Sequence, residues 1–346
     1  MRAARLHAAR DIRVADEPDP VAGPGLDLVR VTAVGVCGSD LHWFDEAGIG
    51  DATVDRPLIL GHEFAGVIEG GPRHGQRVAI DPAMPCERCE TCRGGHRNLC
   101  PDVVFAGHGR QDGGLRELLA WPAALLHPLP DSFSDSDGAL LEPLGVAIHA
   151  EGLGHLKLGA SVAVIGCGPI GLLILQAALC AGAERVVAAD PLAHRREAAG
   201  RLGADEVINP DVEGRAALAE LSGGGVDVAF EAAGTDGAVA LAMVAAKPGA
   251  RVVLAGIPAE DRTSFPASLA RRKGLTIAVA RRMGDVYPRA IGMVAQRRID
   301  LASLVTHRFP LTEVAQAFEV AGAREGLKVV IHPSGSGASM PPRPAD

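Results

Sequence analysis

Strand-like and helix-like segments alternate between residues 158 and 281, and this alternation restricts the fold more than any other feature of the sequence. Runs of apolar residues typical of buried strands recur there every 20 to 25 residues, at 162–165, 185–189, 206–208, 226–230, 251–255 and 275–280. Ala- and Leu-rich stretches with helical spacing, such as 172–180 and 193–202, lie between them. Strand and helix in alternation predict an α/β fold with a doubly wound parallel sheet.

The turn Gly166–Gly171, Gly-Cys-Gly-Pro-Ile-Gly, directly follows the first of these strands and opens the next helix. Gly166 permits the tight turn, Gly168 lets a pyrophosphate approach the backbone, and Gly171 lets helix and strand pack closely. The helix N-terminus then faces the anion. A GxGxxG pattern alone can be a plain strand-helix turn, so the surrounding residues decide whether it binds a dinucleotide. Asp190 ends the next strand, 19 residues after Gly171, where a carboxylate can accept hydrogen bonds from a ribose.

These residues predict NAD as the cofactor. The carboxylate of Asp190 repels a 2′-phosphate and therefore disfavours NADP. Arg195 and Arg196 follow closely and can tolerate a phosphate, although a solvated helix face is the commoner place for such arginines. We include Ile170, at the start of the helix, and Arg195 among the residues that bind the cofactor.

Four of the seven cysteines follow the pattern C-x2-C-x2-C-x7-C, at Cys86, Cys89, Cys92 and Cys100. One loop of this length can wrap a tetrahedral zinc ion, and four thiolates close such a site, so it stabilises rather than catalyses. An iron-sulfur cluster is the alternative, because C-x2-C-x2-C followed by Cys-Pro also occurs in such proteins. The wide last gap and the lack of a second cluster motif favour zinc.

A second set of metal-binding residues is dispersed along the chain, at Cys37, His62, Glu63 and Glu142. A thiolate, an imidazole and carboxylates suit an open catalytic zinc that keeps a position for water or substrate. Taken singly, each residue has an ordinary interpretation: a buried cysteine, a hydrogen-bonded histidine, or a glutamate that caps the following segment. The sequence leaves open whether Glu63 or Glu142 ligates the ion at rest.

Several motifs in order resemble the zinc-containing medium-chain dehydrogenase/reductase family, and within it the sorbitol (polyol) dehydrogenase group, over residues 1–332. They are GVCGSDLH at 35–42, GHEFAG at 61–66, the four-cysteine segment, EPLGVAIHA at 142–150, the GCGPIG turn with Asp190, and VTHRFPL at 305–311. The resemblance implies a GroES-like β-rich catalytic domain, residues 1–149 and 282–346, joined to a Rossmann NAD-binding domain, residues 150–281. The active site is then expected in the cleft between them.

The resemblance also implies a zinc-dependent oxidoreductase that transfers a hydride between a secondary alcohol or polyol and NAD. It places Cys37, His62 and Glu63 at the catalytic zinc, with Glu142 beside it as an occasional ligand or partner of the bound water. Ser39 stands at the position that accepts the proton of the substrate hydroxyl.

Three further positions follow from the same resemblance. His42 stands where the proton passes toward solvent, and Arg282 where the hydroxyls of a polyol are held. Met283 and Trp43 occupy positions at which the sorbitol group commonly has tyrosine, so two phenolic donors are absent and the particular polyol stays open. Dehydrogenases of L-threonine, butanediol and idonate share these motifs, and a non-catalytic module that binds NAD and zinc is the alternative from a different class.

Composition narrows the possible partners. A net charge of -8 disfavours nucleic acid and anionic membranes, and the scattered arginines near the four-cysteine segment do not reverse this. Residues 1–10 lack the apolar stretch of a signal peptide, and the most apolar run, 170–181, is too short to cross ~30 Å of hydrocarbon. Clustered cysteines then indicate reduced thiolates in the cytoplasm. Family resemblance suggests a homodimer or homotetramer.

The remaining segments complete the predicted organisation. Gly and Pro punctuate the first 150 residues, helical periodicity is weak there, and apolar runs at 28–36, 64–68 and 77–80 predict strands of a loop-rich β domain. Helices are predicted at 288–296 and 312–321, followed by a strand at 328–331 that returns to this domain. The tail 334–346, rich in Ser, Gly and Pro, is expected to be disordered.

Overall fold

The computed structural model describes residues 1–50, 52–212 and 224–335, so the predicted disordered tail lies outside the described residues beyond Gly335. The strands are β1 (Arg2–Ala8), β2 (Asp11–Asp16), β3 (Leu26–Gly35), β4 (Gly48–Ile49), β5 (Ala52–Thr53), β6 (Leu58–Ile59), β7 (Glu63–Glu69), β8 (Arg77–Ile80), β9 (Ala83–Met84), β10 (Val104–Phe105), β11 (Leu118–Pro122), β12 (Leu126–Pro128), β13 (Ser161–Ile165), β14 (Arg185–Ala189), β15 (Glu206–Ile208), β16 (Val226–Glu231), β17 (Ala246–Leu254), β18 (Thr276–Val279), β19 (Val305–Pro310) and β20 (Lys328–His332). The helices are α1 (Gly38–Glu46), α2 (Glu90–Arg93), α3 (Asp135–Gly154), α4 (Pro169–Cys180), α5 (Ala193–Arg201), α6 (Asp236–Ala245), α7 (Ala267–Lys273), α8 (Tyr287–Ala295) and α9 (Val314–Gly322). Short 3-10 turns occupy Arg97–Leu99, Ala123–Leu125, Ala302–Leu304 and Leu311–Glu313.

Strands β13 to β18 form a parallel sheet in the order β15-β14-β13-β16-β17-β18. Alternate residues of β13 face opposite sides: Val162 and Val164 pack with α4, whereas Ala163 and Ile165 pack with residues of α6. Strands covered on both faces read as continuous apolar runs, which is why their sequence signal is strong. The predicted fold class, with a Rossmann-type parallel sheet, is confirmed.

A second sheet contains β12, β8, β7, β3, β20 and β19 in that order, with β11 also paired to β3. The runs predicted at 28–36, 64–68 and 77–80 correspond to β3, β7 and β8. Strand β20, from the far end of the chain, lies antiparallel beside β3, with Val330 opposite Gly35. On its other side Gly35 is opposite Glu63, the first residue of β7. Residues distant in sequence are therefore brought to one end of β3.

Helix α3 corrects the expectation that the first 150 residues contain little helix. It begins with a capping box in which the Ser134 hydroxyl accepts the Asp137 N–H (3.1 Å) and the Asp137 carboxylate accepts the Ser134 N–H (2.8 Å). The helix packs against β3 and β7 on one side and α4 on another, and 14 of its 20 residues are buried. A helix enclosed in this way has no polar face, so its sequence lacks the amphipathic period that predicts helices. Neither α3 nor any other helix of the described residues combines the length and apolarity needed to cross a membrane.

Candidate active site

Three metal-binding side chains meet beyond the end of β3. One ligand atom each from Cys37, His62 and Glu63 lies within 4.8 Å of the other two. Cys37 is half-buried at the start of α1, while His62 and Glu63 are buried around the first residue of β7. The pairing of Gly35 with Glu63 explains the convergence, because the residues next to this pair must lie together.

Asp40 holds two of these ligands, a role that the sequence analysis did not assign. Its Oδ2 accepts the Cys37 N–H (3.0 Å), and its Oδ1 accepts the Gly61 N–H (3.3 Å) and lies 3.3 Å from His62 Nδ1. Burial acts to raise the pKa of Asp40, but His62 and the two N–H bonds bring it below the ordinary value. With Nδ1 directed at a carboxylate, His62 can offer Nε2 to a metal. An aspartate three residues after a candidate ligand, at a helix start, is the signal that could have revealed it.

A buried ion pair joins Glu63 to Lys328, the first residue of β20. Lys328 Nζ donates to Glu63 Oε1 (2.7 Å) and to the Val36 carbonyl (2.9 Å), and both charged side chains are at most 3% exposed. Burial lowers the pKa of Lys328, but Glu63 and Cys37 outweigh it and raise the pKa above the ordinary value. Lys328 is not among the residues predicted from the sequence, although a lone lysine in the otherwise apolar stretch Lys328–Ile331 is a visible signal.

Glu142 is buried on α3 near this group, but among the described residues it does not join the cluster of three ligand atoms. Burial raises its pKa to about 8, with Glu63 adding to the rise and His62 opposing it. Burial thus favours the protonated form of this carboxyl group, which can donate a hydrogen bond.

The donor set fits a zinc ion. Sulfur, nitrogen and carboxylate oxygen are the ligand types of catalytic zinc sites, and the half-buried Cys37 leaves one side of the cluster accessible. His62 has its second nitrogen fixed by a carboxylate, as ligating histidines commonly do. The cluster can therefore hold an ion with an open coordination position.

The two candidates for proton transfer lie on one face of α1. Ser39 Oγ is 3.5 Å from His62 Nε2, which places the hydroxyl beside the metal-binding cluster. His42, three residues later, is partly exposed, and its Nδ1 lies 3.3 Å from Glu46 Oε1. Residues three apart are neighbours on a helix, so the pair extends from the cluster toward solvent.

Arg282 lies near the same cluster, and the ring of Phe105 lies between its guanidinium and His62. Its guanidinium carbon lies 4.2 Å from the ring centre of Phe105, and the Phe105 and His62 ring centres are 5.3 Å apart. Burial and Arg281 lower the pKa of Arg282 to about 10. Within the described part of the chain, its buried Nη1 has no hydrogen-bond partner, so a substrate hydroxyl would supply one. No feature of the sequence indicated a role for Phe105.

The two positions at which the resemblance expects tyrosine hold packed side chains. Met283 is 7% exposed and lies over Gly145 of α3, where an added Cβ would come 2.2 Å from its Sδ. Trp43 is 2% exposed and meets the His108 ring edge to face at 5.4 Å. Neither side chain replaces the missing phenolic hydroxyl.

The four cysteines form a separate closed group. One sulfur each from Cys86, Cys89, Cys92 and Cys100 lies within 4.8 Å of the other three. Backbone N–H groups of Cys86, Cys89 and Cys92 each point at a neighbouring sulfur at 3.4 Å. These contacts stabilise thiolates, and four thiolates suit a tetrahedral structural zinc.

The glycine-rich turn lies at the carboxyl end of β13, between β14 and β16, which is where doubly wound sheets bind dinucleotides. Gly166 has a φ of 95°, which favours glycine. A Cβ on Gly171 would lie 1.8 Å from the Gly166 carbonyl oxygen, so this position excludes any side chain. Gly168 caps α4, and the partly exposed Ile170 follows in its first turn.

Asp190 lies beside this turn, at the end of β14. Its Oδ2 accepts the Cys167 N–H and its Oδ1 accepts the Leu192 N–H, both at 2.8 Å. Arg195 Nη1 is 4.0 Å from the same carboxylate, close to Gly168. The carboxylate is therefore fixed by the backbone at the cofactor edge of the sheet.

Comparison with known protein families finds a match in each half of the chain. Residues 23–131 match the alcohol dehydrogenase GroES-like domain, and residues 169–296 match the zinc-binding dehydrogenase family. A sorbitol dehydrogenase of Bacillus subtilis (strain 168) is 34% identical, with 96% of this chain and 98% of the relative covered. A solved structure of a zinc-binding dehydrogenase of Sinorhizobium meliloti 1021 bound to NADP is 30% identical with a TM-score of 0.87, and 96% of this chain and 99% of that chain are covered. A solved structure of an alcohol dehydrogenase of Escherichia coli CFT073 with NADH is 28% identical with a TM-score of 0.88, and the same shares of the two chains are covered.

Proposed function

Because this chain belongs to the zinc-containing medium-chain dehydrogenase/reductase family, in its sorbitol dehydrogenase-like group, we propose that it oxidises a secondary alcohol of a polyol and transfers the hydride to NAD. The observation that carries this proposal is the convergence of Cys37, His62 and Glu63 beside an Arg282 whose Nη1 has no partner among the described residues. Bound zinc supplies a Lewis acid that makes an alcohol proton removable near neutral pH, and NAD supplies the hydride acceptor.

The protein's own residues then have separate tasks. Cys37 Sγ, His62 Nε2 and a Glu63 carboxylate oxygen hold the zinc, and Asp40 fixes the orientation of His62. The four cysteines from Cys86 to Cys100 hold a second, structural zinc.

Ser39 Oγ accepts the substrate proton as it gives up its own, which passes through the nicotinamide ribose to His42 and from there to solvent. The Arg282 guanidinium donates to a second hydroxyl of the polyol, which orients the carbon that is oxidised. Glu142, buried on α3 beside these residues, serves as an occasional zinc ligand or as a partner of the metal-bound water.

We propose NAD rather than NADP as the preferred cofactor, bound by the turn from Gly166 to Gly171 and by Asp190. The support is the position of the Asp190 carboxylate, which repels a 2′-phosphate. Asp190→Ala combined with Pro191→Arg is expected to shift the ratio of kcat/KM values toward NADP. An unchanged ratio would remove Asp190 from this role.

The decisive experiment is a panel of polyols and secondary alcohols with NAD and NADP, followed by nicotinamide absorbance before and after chelation. We expect two zinc ions per chain, activity with at least one polyol, and loss of turnover in Cys37→Ala with NAD binding nearly intact. Cys180→Ala is the matched control, because that cysteine belongs to neither metal-binding group. Appreciable activity in Cys37→Ala, or one zinc ion in an inactive protein, contradicts the proposal.

We further propose a cytoplasmic homodimer or homotetramer without nucleic-acid or membrane partners. The net charge of -8 and the need of both cysteine sites for reduced thiolates support this. Light scattering of the purified protein measures the subunit number, and a monomer would refute the expectation.

A further inference from the structure

Arg282 lies in a short connection whose conformation depends on contacts with other parts of the chain. The segment between β18 and α8 contains Arg281, Arg282 and Asp285 and belongs to neither element. Arg282 has a φ of 52°, in the left-handed region that side chains other than glycine seldom adopt. Such a conformation persists only where surrounding contacts determine it.

The four-cysteine segment supplies these contacts. Asn98, in the 3-10 turn before Cys100, donates from Nδ2 to the Arg281 carbonyl at 2.9 Å, and it is 7% exposed. The neighbouring Arg97 pairs through Nη1 with Asp285 Oδ1 at 2.5 Å. Two adjacent residues of one turn therefore hold the connection on both sides of Arg282.

The side chain of Arg282 meets a residue from the same region of sequence. Phe105, five residues after Cys100, lies under the guanidinium and against His62. Its backbone pairs with Ala83 on the other side of the four-cysteine segment. The four-cysteine segment therefore holds the main chain around Arg282 through Asn98 and Arg97. The residues that follow it supply Phe105, on which the guanidinium rests.

We propose that Asn98 is a positioning residue for substrate binding: its bond to the Arg281 carbonyl sets the left-handed conformation that places the Arg282 guanidinium over Phe105, beside the metal-binding cluster. The role of Arg282 in holding the polyol rests on the proposed function. The four-cysteine segment then has two tasks, since it stabilises its own loop and also sets the geometry of the substrate site.

The test is a double-mutant cycle of Asn98→Ala and Arg282→Ala with the best polyol substrate. Asn98→Ala is expected to raise the polyol KM about 10-fold, because small displacements of binding groups are costly, while the KM for NAD and the zinc content stay unchanged. In the Arg282→Ala background the same change should have an effect of less than about twofold, since Asn98 affects substrate binding only by placing the Arg282 side chain. Arg93→Ala, an exposed position in the same segment, is the matched control and should leave the polyol KM unchanged.

Equal effects of Asn98→Ala in both backgrounds, or an unchanged polyol KM, would overturn the proposal. Should Asn98→Ala not fold, Asn98→Asp removes the donor at nearly constant size, and Asn98→Gln restores it; the polyol KM must rise in the first and recover at least in part in the second. Hydrogen exchange of residues 281–286 in Asn98→Ala separates this proposal from the proposed function. Faster exchange supports the proposal that Asn98 holds this connection, even if the protein oxidises no polyol. Unchanged exchange refutes that proposal, even if the protein oxidises a polyol.

Discussion

Replacing Asp40 by asparagine should weaken zinc binding at the catalytic site while the four-cysteine site keeps its affinity. In Asp40→Asn one carboxylate oxygen becomes an NH2 group, yet all the groups that face this side chain, at Cys37, Gly61 and His62, present N–H donors. At least one buried donor then meets another donor, which costs about 1–3 kcal/mol of folding stability. Losing the carboxylate behind a ligating histidine typically weakens metal binding about 10- to 100-fold, or about 1.4–2.7 kcal/mol.

The assay is a competition titration with a zinc chelator, with zinc counted per chain and kcat/KM measured on the same samples. The four cysteines serve as an internal control, because within the described part of the chain Asp40 contacts Cys37, Gly61 and His62 and none of these four. Asp137→Asn is the matched control variant, since Asp137 occupies the same third position of a capping box at the start of α3. The reasoning is refuted if Asp40→Asn retains both zinc ions with an unchanged titration curve and keeps kcat/KM within about twofold.

Further predictions concern stability, cofactor binding and the structural metal. Burial raises the pKa of Asp81 from 3.8 to about 6. The charged form therefore destabilises the folded protein as pH rises above about 4, and Asp81→Asn should stabilise it by at most about 3 kcal/mol at pH 8 and about half of that at pH 5. Urea unfolding at both pH values measures this, and an equal gain at both contradicts it. Gly171→Ala places a Cβ 1.8 Å from the Gly166 carbonyl and should weaken NAD binding about 10-fold by calorimetry. Gly200→Ala, with open space around the added Cβ, should leave NAD binding unchanged. Cys92→Ala should lower the zinc content from two ions to one and lower the melting temperature, and retention of both ions would show that the four thiols do not share a metal.

The parallel sheet could be predicted from the sequence because its central strands β13, β14 and β16 are largely buried and are therefore marked by mainly apolar runs. The runs at 185–189 and 206–208 coincide with β14 and β15 to the residue. The same burial hides α3, since enclosure on all sides removes the periodic polar face by which a helix is recognised. Sequence shows burial well, but it distinguishes buried helix from buried strand poorly.

At the candidate site, the sequence reveals residues whose chemistry is unusual in itself, such as clustered thiols or a histidine next to a glutamate. It does not reveal residues that matter through their partners. Lys328 is 265 positions from Glu63, and only the antiparallel pairing of β20 with β3 brings the two charges together. Likewise, nothing in the sequence distinguishes Asn98 from other asparagines, and only the structure shows its bond to the Arg281 carbonyl.

Helix α3 also limits how the two halves of the molecule can move. It packs on β3 and β7 of the sheet that carries the metal-binding residues and on α4, the helix that packs on the parallel sheet, and Glu142 lies near its middle. A wide hinge opening would expose the apolar side chains that this helix buries against both. We therefore expect any closure over bound cofactor to be small in amplitude, such as a slight shear of α4 along α3 that keeps this apolar surface covered.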